Sequence, residues 1–450
     1  MDHRQLVARY DGRVPRYTSY PTAPHFRSVA GPGLYEDWLG RLPADAGLSL
    51  YLHVPFCRVM CWYCGCHTRV AKDDVPVQAY AVALRREIGL VAQAIGRRAL
   101  VHRLHWGGGT PTLLSPAIFA AINRDLLDHF DIAANAEHAV EADPRTLDDE
   151  QVEALAAAGV TRVSLGVQTL SDGVQRKINR VQPFDEVAAA VRRLRDAGIG
   201  ALNFDLMYGL PTQTIEDVVA TAKAVADLRP ARVALFGYAH VPWMKPHQQR
   251  ILDDELPDAA ERFEQLLAGA DVLTERGYRR IGLDHFALQD DPLSRAAAEG
   301  RLRRNFQGYT DDRSPYLIGL GASAISEVPD GYAQNAVAIP DWQQAVSAGR
   351  LPIAKMRGRS AEDILRREAI EMLMCDRPLD VGALAAGHGF SPDHLDASIA
   401  KLAGPAADGL VEVDGRHVAV TARGWPFMRS IAAAFDAYLS PDESRHARAV

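Results

Sequence analysis

From about residue 45 to residue 286 the chain repeats one pattern: a short run of alternating apolar residues, a turn, then a stretch with apolar residues every three to four positions. Runs at 48–56, 100–106, 137–143, 162–168, 201–208, 232–240 and 278–286 read as strands. The stretches at 77–96, 115–129, 184–197, 214–227 and 258–276 read as the helices between them. A helix between two strands returns the chain to the same end of a sheet, so the strands pair in parallel and the fold class is α/β. Spacing this regular suggests a full or partial barrel more than an open doubly wound sheet.

Alternation inside the strands separates two faces. Leu50, Leu52 and Val54 share one face of the first, while Tyr51, His53 and Pro55 share the other. Val163, Leu165 and Val167 likewise oppose Ser164, Gly166 and Gln168, and Phe204 and Leu206 oppose Asn203 and Asp205. If the apolar faces meet the helices, the polar faces line the interior, and the lumen is expected to hold a polar ligand. Glu141 and Asp205 fall at strand C-terminal ends, where barrel active sites lie, and suit amino or ribose hydroxyl groups.

Directly after the first strand come four of the five cysteines, Cys57, Cys61, Cys64 and Cys66, within ten residues. An odd count clustered this tightly argues for metal or cluster ligation rather than disulfides. Cys375, alone in LMCDR, reads as a small buried hydrophobe. The C-x3-C-x2-C spacing offers three thiolates from one loop, enough for three irons of a 4Fe-4S cluster with the fourth left open. Zinc is the competing metal, but no second knuckle exists. Ligation of one cluster by all four cysteines is strained by the single residue between Cys64 and Cys66. Gly107, Gly108 and Gly109 follow the second strand, where backbone carbonyls can approach a ligand ammonium.

The N-terminal 44 residues, rich in aromatics and prolines, read as an extension over the active site, with Arg13 and Arg16 as candidates for pairing with acidic groups. The main domain is expected at 45–350, and AGRLPIAKMRGRS looks like a linker into a mostly helical domain at 351–450. There, helices near 361–374, 379–388 and 391–403 precede two short strands joined through Asp414-Gly415, a hairpin signal. Three helices and a hairpin resemble a winged helix. From Ala361 onward, however, nine Lys and Arg face fourteen Asp and Glu, which favours a packing domain or lid over a DNA binder. A net charge of −7 offers nucleic acid and anionic membranes no general attraction. The start of the chain has no apolar signal segment, and no apolar run reaches the roughly 18 residues needed to span a bilayer. A cytoplasmic monomer is expected.

CRVMCWYC matches the signature of radical S-adenosylmethionine enzymes. The longer HVPFCRVMCWYCGC, with RYTSYPTAPHF upstream, resembles the oxygen-independent coproporphyrinogen III oxidase family, as do HWGGGTPT, EADPRTL, RVSLGVQ, INRVQ, NFDLMYGLPTQT, YAHVP, GLDHFA, RNFQGYT and LIGLGASAIS. The resemblance implies a partial (β/α)6-type radical barrel and a cluster on Cys57, Cys61 and Cys64 whose open iron is chelated by the cofactor. It also implies two S-adenosylmethionine molecules. Tyr51, Gly108, Glu141 and Ile325 match first-cofactor positions; Tyr63, Gly109, Thr110, Gln168, Arg180, Asp205, Ala239 and Gln307 match second-cofactor positions. The implied reaction is oxidative decarboxylation of coproporphyrinogen III to protoporphyrinogen IX, with a low-potential electron donor and an acceptor as further partners.

Tyr51 and His53 face the expected lumen one step before the cluster loop, which makes them candidates for orienting cofactor and substrate or relaying a proton. Tyr63 stands where relatives have Phe, and His67 where Asn is common. GLGASA at 319–324 superficially resembles a dinucleotide fingerprint, but no acidic residue lies about 20 positions on, so it reads as a loop near the cofactor. Two other readings remain: a relative that acts on or carries haem, disfavoured by Cys66 and RYTSYPT, and an iron-sulfur sensor with a DNA-binding wing, disfavoured by the acidic C-terminal domain.

Overall fold

The computed structural model describes residues 2–28 and 33–439. Parts of the two expected terminal segments, at 1, 29–32 and 440–450, lie outside the described residues, and Arg445 and Arg448 of the charge balance are among them. Six of the seven expected strands form consecutive parallel neighbours: β1 (Leu48–Val54), β2 (Leu100–Gly108), β3 (Asp131–Ala142), β4 (Arg162–Gln168), β5 (Ala201–Tyr208) and β6 (Arg232–Gly237). Between them run α1 (Val75–Ile95), α2 (Pro116–His129), α3 (Asp149–Ala157), α4 (Phe184–Asp196) and α5 (Ile215–Asp227), and α6 (Ala259–Glu275) follows β6. Local signals set the helix starts. Ser115 accepts from the Ile118 N–H, and Thr214 and Asp217 close a reciprocal capping box.

The expected seventh strand, 278–286, is instead a hairpin. β7 (Tyr278–Ile281) and β8 (His285–Leu288) pair antiparallel, and β8 joins β6 antiparallel. Gly282, at φ 55°, turns the chain in the middle of the apolar run that reads as one strand. The seventh parallel strand comes from a stretch not read as a strand, and its last two residues, Gly319 and Leu320, open the stretch read as a loop. β9 (Tyr316–Leu320) pairs parallel with β1 on the side opposite β2, and only 321–324 turn. β10 (Ile325–Val328), β11 (Gly331–Asn335) and β12 (Ile353–Gly358) extend the sheet antiparallel. The stretch read as a linker therefore contains a sheet strand, and Arg27–Ser28 pairs with it at Met356 and Lys355. The described sheet has thirteen strands and stays open, a partial barrel.

The face assignment holds. Leu50, Leu52 and Val54 are fully buried in the main apolar core, as are Val163, Leu165, Phe204 and Leu206 on their strands. Each such side chain contributes roughly 1.5–3 kcal/mol by leaving water. The polar face differs in its lower half, where the chain fills the lumen itself. Arg162 bonds Glu137 at 3.0 Å, Arg232 bonds Asp291 at 2.8 Å, and Arg103 bonds Asp311 at 2.8 Å. These balanced, buried ions close the strand N-terminal ends and leave the open volume at the C-terminal ends.

The C-terminal region contains α7 (Ala361–Met374), then Val381–Gly387, and the hairpin Val411–Asp414 with His417–Val420, turned at Gly415 with φ 58°. The single helix expected at 391–403 is instead a turn followed by two short helices, Asp396–Ala400 and Ala403–Ala407. At the other end, helix His3–Tyr10 leads into an extended strap. Arg429 donates to the Pro15 carbonyl at 3.2 Å, and Tyr17 donates to Asp436 at 3.1 Å, which ties the strap to the C-terminal region.

Candidate active site

The cysteine loop leaves the end of β1 through Pro55 and is closed by a two-residue parallel pairing of Phe56–Cys57 with Arg69–Val70. Inside it, the Cys64 N–H reaches the Cys61 carbonyl at 3.1 Å. Its outward carbonyls are held by two distant segments. Asn179 donates to Met60 and Gln248 to Tyr63, both at 2.9 Å; His247 donates to Cys64 at 2.7 Å and Lys245 to Cys66 at 2.8 Å. A loop fastened at four carbonyls presents its thiols in a defined geometry.

Those thiols line a cavity of about 780 Å³ at the C-terminal ends of the parallel strands. Gly108, Gly109 and Thr110 come to it from β2, Glu141 from β3, Gln168 from β4 and Asp205 from β5. Tyr63 and Arg180 also line it. Gly108 has φ 113°, and a Cβ there would lie 2.6 Å from the His53 ring, so only glycine fits. Gln168 holds φ 65°, a strained setting for a non-glycine residue at the end of a strand that borders a ligand-sized space.

The sulfurs have protein partners. Cys57 receives the Thr68 and Thr110 hydroxyls at 3.4 and 3.6 Å. Cys61 receives Arg180 Nη1 at 3.5 Å and Arg145 Nη2 at 3.9 Å. The Cys66 thiol hydrogen-bonds Cys64, which pulls Cys64 down to about 6 and pushes Cys66 well up. Among the described residues no three Cys, His, Asp or Glu side chains converge on a single-ion site. A polynuclear cluster gives each thiolate its own iron and needs no such convergence. Arg180 Nε is buried without a partner among the described residues, as expected of a wall built for a polar group not supplied by the chain.

Acidic groups on the wall are set apart from one another. Burial and the nearby Glu141 push Asp205 up to about 7. Burial also opposes charge on Glu141, but His105 at 3.2 Å and the Gly108 N–H at 3.1 Å outweigh it and hold its carboxyl below the usual range. His53 is pushed down by burial. Its Nε2 donates to the His67 carbonyl at 2.9 Å, so Nδ1 accepts the Tyr51 hydroxyl at 2.9 Å and the ring is neutral.

The Radical SAM superfamily profile matches residues 51–225, and the HemN C-terminal domain profile matches 360–427. The oxygen-independent coproporphyrinogen III oxidase of Bradyrhizobium diazoefficiens is 50% identical over 444 residues, 99% of each chain. The chain belongs to this family. The enzyme of the same name from Paracoccus denitrificans is 44% identical over 96% of each chain. The solved structure of coproporphyrinogen III oxidase from Escherichia coli, described as a radical SAM enzyme, superposes with a TM-score of 0.90 at 38% identity, covering 94% of this chain and 98% of that one. Family membership makes the protein a radical oxidoreductase and implies a 4Fe-4S cluster and S-adenosylmethionine. The three thiols, the arginines on Cys61 and the unpaired Arg180 Nε fit such groups.

Within the family frame, the described cavity gathers Cys57, Cys61, Cys64, Tyr63, Gly108, Gly109, Thr110, Glu141, Gln168, Arg180 and Asp205. Tyr51 and His53 stand beside it, against Glu141 and Gly108 respectively. Ala239, Gln307 and Ile325 lie outside its lining: Ala239 borders a second cavity, Gln307 sits in the turn between Arg303–Asn305 and Gly308–Thr310, and Ile325 opens β10. Sequence reasoning missed Asp143, which joins Arg145 at 2.6 Å to Arg180 at 3.2 Å, and His105. Extending the alternation two positions past Glu141 reaches Asp143, and the Tyr51–His105 pairing follows from register. No helix among the described residues is long and apolar enough to cross a membrane.

Proposed function

We propose that this chain decarboxylates two propionates of coproporphyrinogen III to vinyl groups, giving protoporphyrinogen IX without oxygen. The observation that carries the reading is 50% identity over 99% of the chain with an oxidase of that name, joined to three loop thiols facing a polar cavity. Cys57, Cys61 and Cys64 would hold the cluster. Tyr51, Gly108, Glu141 and Ile325 would bind one S-adenosylmethionine. Tyr63, Gly109, Thr110, Gln168, Arg180, Asp205, Ala239 and Gln307 would bind a second. When bound, the cluster and cofactor supply a 5'-deoxyadenosyl radical. At each propionate the substrate loses a β-hydrogen atom to that radical, carbon dioxide, and one electron to an external acceptor, and a vinyl group remains.

The chain's own residues bind, orient and exclude water. Glu141, held as a carboxylate, accepts hydrogen bonds from a cofactor amino group or hydroxyl. Asp205, pushed up to about 7, switches between donor and acceptor near neutral pH. Arg180 and Arg145 keep positive charge at Cys61. Neutral His53, anchored through Nε2 on the His67 carbonyl, orients the Tyr51 hydroxyl at the edge of the site. The described part of the N-terminal extension covers the site, the barrel domain begins near residue 45 and includes β12 up to Gly358, and the mostly helical C-terminal domain follows, in a cytoplasmic monomer served by a low-potential electron donor. Anaerobic incubation of reconstituted protein with dithionite, S-adenosylmethionine and coproporphyrinogen III should yield protoporphyrin after oxidation. Cofactor cleavage without a vinyl product would overturn the reading.

A further inference from the structure

Beside the cofactor cavity lies a second, narrower one, walled by the end of β6, the start of α6, the turn between β7 and β8, the N-terminal strap and the C-terminal region. Its ionisable lining is one-sided: Arg16, Arg262, Arg304 and Arg429 against a single acid, Asp284. Asp284 accepts from His285 Nδ1 at 2.7 Å and, held against its burial below the usual carboxylate range by His285, Arg304 and Arg16, offers one negative charge against four guanidinium groups. Arg304 is 6% exposed and donates from Nε to the Arg16 carbonyl, yet its Nη1 has no partner among the described residues. Arg429 is equally buried, and Arg16 and Arg304 add to the burial that pulls its guanidinium down to about 10. Like charges gathered out of water are costly unless an anion joins them. The remaining wall is apolar or aromatic, with Leu235, Phe236, Leu266, Leu283 and Pro426.

We propose that this cavity binds carboxylates of the tetrapyrrole substrate, the propionates that are not at the radical, while its apolar wall packs their methylene stems and pyrrole edge. The inference rests on the substrate reading above. Three arguments point the same way. Guanidinium forks suit carboxylates in paired geometry. Apolar walls suit an organic acid rather than a hydrated inorganic anion. The position is next to the cofactor cavity: Asp205 on β5 lines that cavity, and Gly237 and Tyr238 at the C-terminal end of the neighbouring β6 line this one. Arg16, exposed on the strap, is the member an incoming ligand meets from solvent.

The test uses coproporphyrin III, the air-stable oxidised macrocycle, and its tetramethyl ester, with binding followed by fluorescence on the reconstituted full chain. Wild type should bind the acid at least about tenfold more tightly than the ester. Arg16→Gln and Arg304→Gln should each lose about tenfold or more for the acid and little for the ester. Iron content and S-adenosylmethionine affinity report whether each variant is folded; Arg16, being exposed, guards against a folding failure at Arg304. Unchanged affinity for the acid in both variants, equal loss for acid and ester, or a loss of S-adenosylmethionine affinity instead would overturn the inference. If wild type turned over coproporphyrinogen III normally, only this inference would fall. If it failed to turn over, the functional reading would fall first and take the inference with it.

Discussion

Replacing Glu87 by glutamine tests whether a buried group behind the sheet holds part of the cofactor wall. Glu87 lies on α1 and receives the Gly321 N–H at 2.7 Å, Asn335 Nδ2 at 2.6 Å and Trp342 Nε1 at 3.1 Å. On the same helix Tyr80 donates to the His53 carbonyl at 2.7 Å and accepts the Ala322 N–H at 2.8 Å. Together they clamp the 321–324 turn, which leads into Ile325, against the end of β1. Burial pushes the Glu87 carboxyl up to about 7 from the ordinary 4.5, outweighing its three donors. The folded protein therefore holds this proton more tightly than the unfolded chain does. The stability from that proton is fully present below 4.5 and is lost as pH rises towards about 7. The displacement corresponds to roughly 3 kcal/mol, most of which falls between pH 5 and 8. Glutamine does not titrate, so the stability difference between wild type and Glu87→Gln should move by roughly 2–3 kcal/mol over that range, favouring glutamine at high pH. Urea unfolding at the two pH values measures it, and groups common to both proteins cancel. A difference that stays within about 0.5 kcal/mol would refute the reasoning, because ionisation of Glu87 would then not be coupled to folding.

A methyl group at Gly109 would sit 2.4 Å from the Phe56 carbonyl and 2.7 Å from its nitrogen, both backbone atoms, so Gly109→Ala should cost about 1–3 kcal/mol and reduce bound iron, read by thermal unfolding and iron analysis. Asp291→Asn leaves Arg162 and Arg232 buried without their shared carboxylate and should destabilise by roughly 3–5 kcal/mol, visible as a lowered urea midpoint. Serine at Cys57, Cys61 or Cys64 should abolish cluster assembly, whereas Cys66→Ser should retain iron; equal iron in all four variants would refute the three-ligand assignment.

Periodicity made β1 to β6 legible because each has one face packed in the core and one in the lumen, so Leu50, Leu52 and Val54 alternate cleanly with Ser49, Tyr51 and His53. The same rule misread 278–286, where a turn at Gly282 hides inside an apolar run, and it missed β9. Tyr316–Leu320 has no parallel partner nearby in sequence; it pairs with β1, more than 260 positions earlier, and only long-range register reveals that. That Cys57, Cys61 and Cys64 come from one loop was readable from spacing, and the structure brings them to one cavity. What held the loop was not, because His247, Lys245 and Asn179 act through single hydrogen bonds to backbone carbonyls, which leave no pattern in the chain. The ion network of Arg103, Arg162 and Arg232 was likewise hidden: each reads as an isolated polar residue on a strand until the strands are set side by side.

The proposed reaction requires the cavity beneath Cys57, Cys61 and Cys64 to place a substrate propionate where a cofactor radical takes its β-hydrogen. Coproporphyrinogen III deuterated at the propionate β-carbons of rings A and B tests this directly, by mass analysis of the nucleoside product after anaerobic turnover. Deuterium should appear in 5'-deoxyadenosine, in step with vinyl formation; vinyl product accompanied by unlabelled 5'-deoxyadenosine would contradict the proposed reaction.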